Sequence, residues 1–242
     1  EGWDLREEGP LKPEQSEALD VIRTHMDAGR FGVVLIHGVT GSGKTRVYSE
    51  AVRAAVGEER GAIVLVPEIA LTPQMVQRLR MEFGDRVAVV HSGLTRTQRY
   101  DTWRAVREGR YPIVVGPRSA VFAPVPDLGV IVVDEEHEGT YKQGESPRYH
   151  ARDVAVMRAK LDEAVVVLGT ATPSMETYQN AREGKYDLVE LPKRIDEGPL
   201  PEVELIDMRR EQPVDTEGAF SGRLRDEVGR TLDEGRQIIL FL

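Results

Sequence analysis

Two short polar clusters, each placed directly after an apolar run, hold the residue types that handle phosphate. The first is GVTGSGKT, residues 38–45, which follows GVVLIH. Gly38, Gly41 and Gly43 let the backbone wrap closely around phosphate oxygens, with Thr40 and Ser42 in the same loop. The amides at the start of the next helix then point at the anion. Lys44 is placed to reach the β and γ phosphates of ATP, and Thr45 to ligate Mg²⁺; the spacing fits G-x-x-x-x-G-K-[ST] at every defined position. The second cluster is DEEH, residues 134–137, which follows VIVV about 90 residues further on. Buried carboxylates are costly unless something pairs with them. Here Asp134 has a use as the second acid that holds Mg²⁺, and Glu135 as the base that polarises an attacking water. Lys44, Asp134 and Glu135 are therefore the candidate catalytic set, with Thr45 and Asp134 as metal ligands. His137 falls on the same side.

The rest of the chain must bring these clusters together. Helical patterns are predicted over 13–28, 43–56, 97–108, 152–161, 174–181 and 221–233. A further helix from Pro73 is capped by Thr72. Apolar runs at 32–38, 62–66, 87–90, 113–115, 130–133 and 165–168 read as buried strands, and another strand begins at Gln237. Continuous apolar strands separated by helices indicate an α/β lobe with a parallel sheet covered by helices on both faces. Ligands in such sheets bind at the carboxyl ends of the strands, where both clusters fall. Tyr100 and Trp103, at helical spacing, read as core. The segmentation is a linker over 1–10, an ATP-binding lobe over 11–193, linker and loops over 194–220, and the start of a second lobe over 221–242.

Composition limits the partners. The net charge of -9 argues against whole-surface attraction to nucleic acid, so any such contact must be local. There are no cysteines, which leaves no disulfide framework and no thiolate zinc ligands in this chain and suits a reducing cytoplasm. No apolar run is long enough to span a membrane. The chain opens without Met and stops in the apolar QIILFL, so it is expected to be part of a longer protein.

The motif string adds a resemblance. DEEH resembles the DExH box of superfamily 2 helicases, whose first lobe is RecA-like. PEQ at 13–15, VPEIALTPQ at 66–74, HSGL at 91–94, GPRSAVFAP at 116–124, RYHARDVA at 148–155 and GTATPS at 169–174 follow the order of the bacterial replication-restart branch. Branch-migration and transcription-coupled-repair translocases continue the box as Arg-Phe-Gly; here it continues Glu138, Gly139, Thr140, Tyr141.

The resemblance implies an ATP-dependent 3′-to-5′ DNA helicase acting at stalled forks and D-loops to start primosome assembly. It implies that Gln15 reads adenine and that Arg118 and Ser119 meet the DNA backbone. It makes Tyr141, Lys142, Gln143, Tyr149, His150 and Arg152 part of a loop that senses single-stranded DNA. Thr170 and Thr172 would couple hydrolysis to movement. It also implies single-strand DNA-binding protein and helicase loaders as partners, a monomer, and zinc bound elsewhere in the full-length protein. The arginine finger would come from a second lobe, so this piece alone is expected to hydrolyse ATP poorly. Two rival readings remain: a translocase that does not separate strands, and a primosome recruiter with a vestigial ATP site.

Overall fold

The computed structural model describes residues 9–67, 73–195, 202–210 and 220–241. Helix α1 (Pro13–Asp27) starts on a proline that fits the first turn and buries Ala18, Leu19, Ile22 and Met26 along one face. Strand β1 (Gly32–Gly38) leads into the glycine-rich loop and then α2 (Lys44–Gly57). The chain continues through β2 (Gly61–Leu65), α3 (Pro73–Phe83), β3 (Val87–Val89), α4 (Arg96–Arg107) and β4 (Ile113–Gly116). A 3₁₀ turn at Arg118–Phe122 precedes β5 (Leu128–Asp134). A second 3₁₀ turn (Gly139–Tyr141) and a small antiparallel pair, β6 (Lys142–Gln143) and β7 (Tyr149–His150), form the loop that follows. Then come α5 (Ala151–Leu161), β8 (Val165–Thr170), α6 (Met175–Arg182) and β9 (Asp187–Leu191).

Seven strands form one sheet in the order β3-β4-β2-β5-β8-β1-β9, and every pairing is parallel. Side chains alternate between the faces, as the two-residue strand period requires. Val34, Ile36, Val64, Val132 and Val167 pack with α1 and α2 on one side. Leu35, Ile63, Leu65, Ile131, Val133 and Leu168 pack with Val106 of α4, Ala120, Tyr141 and Ala155 of α5 on the other.

The chain divides into two compact units, Glu1–Glu197 and Gly198–Leu242. In the second, Ser221 caps α7 (Gly222–Asp233) by accepting a hydrogen bond from the Leu224 amide, and Arg223 pairs with Glu204.

Three expectations need correction. Residues 237–241 form no strand: an extended apolar run becomes one only when it pairs, and no described strand pairs with it. Strand β9 has no counterpart among the expected strands because it is an edge strand with polar exposed positions, Asp187 and Glu190, so no buried-strand run marks it. Tyr100 is not core: it is 67% exposed, while Trp103 is only half-buried. Thr72 and residues 68–71 of VPEIALTPQ lie outside the described residues.

Candidate ATP site and the loop beside it

The sheet order explains how two distant clusters meet. The glycine-rich loop leaves the carboxyl end of β1 and DEEH leaves that of β5. Between them lies β8, paired to both, with Asp134 opposite Gly169 and His37 opposite Thr170. Lys44, Thr45, Asp134 and Glu135 thus line one cavity of about 770 Å³, with Gln15, Thr40, Gly41, Ser42, Gly43 and Arg78 on its walls.

The loop is shaped for an anion. Gly43 begins α2 at φ 86, a left-handed conformation that favours glycine, and a side chain there would run into the Gln15 amide and Ile195. The Ser42 hydroxyl is buried without a hydrogen-bond partner. Lys44 is buried; its ammonium donates to the Gly38 carbonyl at 2.8 Å and lies 3.9 Å from a Glu135 oxygen. Gln15 is also buried. It accepts from the Lys12 amide at 3.0 Å and donates to the Ser42 carbonyl at 3.1 Å, which joins α1 to the loop. An orphan hydroxyl, a buried ammonium and side-chain-free backbone fit a nucleotide's phosphates. No group of three or more metal-ligating acid, histidine or cysteine side chains occurs among the described residues. Thr45 and Asp134 line the same cavity, a pair that suits a cation such as Mg²⁺, which keeps few protein ligands and takes the rest from phosphate and water.

Burial, then the neighbouring Glu135, pushes the Asp134 carboxyl up to about 6, offset in part by Tyr48 and Lys44. The Tyr48 phenol lies close enough to favour the ionised acid without meeting full hydrogen-bond geometry. That ring also explains Gly169: a methyl group there would land on the phenol. Glu135 sits at φ 46, a backbone region that non-glycine residues rarely adopt. Such strain persists only where surroundings fix it, typically at sites of function.

Glu136 is the acid that the sequence reading left without a role. It is fully buried. One oxygen accepts from the Ser174 amide at 2.7 Å. The other accepts from the Thr177 hydroxyl at 2.8 Å, Arg152 at 3.0 Å and the Ser174 hydroxyl at 3.1 Å. This charge joins the DEEH turn, the N-terminus of α5 and that of α6. Ser174 and Thr177 lie 38 and 41 positions away, and nothing in their spacing signals the contact. His137 meets the Thr170 hydroxyl at 2.7 Å, and that oxygen also accepts from the Thr172 amide at 3.0 Å.

The loop after DEEH holds its aromatic residues inward. Tyr141 is 1% exposed and donates to the Asp134 carbonyl at 2.7 Å. A covered ring offers no face to a base, so the geometry fits coupling, not contact. Arg152 is turned toward Glu136 and Asp153. Tyr149 is half-buried, packed edge-to-face on Phe122 with centroids 5.1 Å apart. Arg118 donates to the Thr140 carbonyl at 3.0 Å, which links the turn after β4 to this loop. Lys142 is exposed, Ser119 and Gln143 half-buried.

The fold and this site define a P-loop NTPase lobe, and the chain belongs to the DEAD/DEAH box helicase family, whose model matches residues 12–181. Several curated relatives carry the name replication restart protein PriA. The protein of that name from Bacillus subtilis (strain 168) is 47% identical over 96% of this chain and 29% of its own length. That from Synechocystis sp. is 43% identical over 96% of this chain and 28% of its own. The chain thus spans less than a third of these relatives. The solved structure of RecG bound to a three-way DNA junction matches 79% of this chain and 25% of that one, at TM-score 0.55 and 19% identity, a likeness of fold.

Proposed function

We propose that this chain is the ATP-binding lobe of a DNA helicase that restarts replication, acting 3′ to 5′ at stalled forks and D-loops to begin primosome assembly. The observation that carries the reading is the convergence of Lys44 and Thr45 with Asp134 and Glu135 across β8 on one cavity. The names of the relatives support the restart role. Bound MgATP would supply the phosphoanhydride bond and the divalent charge. The chain's own residues then divide the work. The loop backbone and Lys44 cradle the phosphates, Thr45 and Asp134 face the metal, and Glu135 orients and deprotonates water. Gln15, at the cavity wall, is the reader of adenine. Thr170 and Thr172 pass the state of the site onward through His137, while Arg118, Ser119, Lys142 and Tyr149 form the DNA side. Single-strand DNA-binding protein and helicase loaders are the proposed partners, and a second lobe completes the charge around the transferred phosphoryl group.

The test is strand displacement by the intact protein on forks with a single 3′ or 5′ tail. DNA-stimulated hydrolysis and unwinding are both expected, and Lys44→Ala should lower turnover by about 10²–10³-fold, as loss of one preorganised charge does. Hydrolysis without displacement would favour a translocase. Restart that survives Lys44→Ala would favour a recruiter with a vestigial site.

A further inference from the structure

We propose that the outward face of α4 is a second DNA-contact surface, one that holds the sugar–phosphate backbone of duplex DNA. The inference rests on the DNA-dependent reading above. Residues 96–110 carry five arginines against two acids, in a chain whose net charge is -9. At about 100° per residue, Arg96, Arg99, Tyr100, Trp103, Arg104 and Arg107 share an arc of roughly 140° on the helix. Ala105 and Val106 turn inward to the core, and Asp101 and Glu108 lie at the flank of the stripe.

Charge on this face is only partly cancelled. Arg104 and Arg110 pair with Glu108, but no ion pair engages Arg96, Arg99 or Arg107 among the described residues. All three are exposed, as is the Tyr100 ring between them. Isolated surface arginines are common. Three uncompensated ones on one helical face of an acidic protein, beside an exposed ring, are a local anion-binding surface.

Its position agrees with its charge. Helix α4 starts at the carboxyl end of β3, and β3 neighbours β4, whose carboxyl end carries Arg118 and Ser119. Val106 packs in the same core layer as Ala120, Tyr141 and Ala155, with Tyr149 against it, so α4 shares its sheet face with the turn after β4 and the loop after DEEH. Single strands favour grooves with several stacking rings. A convex helix with one ring and a row of cations suits the flank of a duplex, where backbone contacts position without reading sequence. The eleven-residue step from Arg96 to Arg107 spans about 16 Å at 1.5 Å per residue.

The experiment compares intact wild type with the triple variant Arg96→Ala/Arg99→Ala/Arg107→Ala. Binding to a labelled forked duplex is followed by anisotropy from 50 to 200 mM salt. Each lost phosphate contact removes about 0.9 from the slope of log affinity against log salt, so the slope should fall by about 2–3. The lysine triple at the same positions should keep the slope. Affinity for a fluorescent ATP analogue and the unfolding temperature should stay unchanged in both. An unchanged slope in the alanine triple overturns this inference and leaves the proposed function standing, whereas wild type that binds no DNA overturns both. An equal loss on single-stranded DNA overturns the duplex assignment. Loss of binding to polyglutamate with fork binding intact overturns it in favour of an acidic protein partner.

Discussion

Asp134 shows the conflict between stability and function most directly. Its carboxyl is raised from 3.8 to about 6 by burial and by Glu135. A raised carboxyl pKa means that the folded state prefers the proton. Its contribution to stability is present below the unfolded value and lost as pH rises through about 6. Asp134→Asn, which carries no such charge, should gain on wild type by on the order of 1–3 kcal/mol between pH 4 and pH 7 in the nucleotide-free protein. It should lose Mg²⁺-dependent hydrolysis at every pH. Denaturant unfolding at both pH values reads the first effect, and a gap that fails to open refutes the assigned cause. The meeting of Lys44, Thr45, Asp134 and Glu135 at one cavity was legible in the sequence because the spacing of both clusters matches what phosphate chemistry would require. Tyr48 was not, because its importance lies in touching Gly169 across the helix–sheet interface, a contact that spacing does not encode.

At the level of elements, the Glu136 cluster locks three segments by one charge. Breaking a buried pair from one side leaves the other charge uncompensated, at a cost of about 3–5 kcal/mol. Arg152→Ala should therefore destabilise by that amount, and Arg152→Ala/Glu136→Gln should recover most of the loss in urea unfolding. Additive losses would mean that Arg152 acts through packing alone. The major helices and the buried strands could be read in advance, since hydrophobic period and caps mark them. The small β6–β7 pair could not, because two-residue strands have no period. Nor could the inward turn of Tyr141: an aromatic next to a lysine in a polar segment reads as a stacking residue, and only the path of the loop under the Asp134 carbonyl buries it.

For the molecule as a whole, the centre of the sheet carries the stability and its edges tolerate change. Ile131 is fully buried in β5, so Ile131→Ala should cost about 2–5 kcal/mol, whereas Leu188→Ala on the exposed side of β9 should stay below about 1 kcal/mol. Comparable losses, measured by calorimetry, would contradict this layering. The net charge argues only that any contact with nucleic acid would be local, and the α4 surface is proposed as one such place. That β3, whose carboxyl end leads to α4, lies next to β4 depends on strand order, which sequence pattern leaves open. That same order has a mechanical consequence. With β8 hydrogen-bonded to β1 and β5 at once, the strand ends that carry the phosphate loop and the paired acids stand two strand spacings apart, roughly 10 Å, a gap that the Lys44 side chain reaches across. The jaws of the site are a calliper of fixed width, and widening them would mean tearing the sheet. Any movement at the site must come from what hangs on the strands' ends, with the frame beneath acting as an anvil.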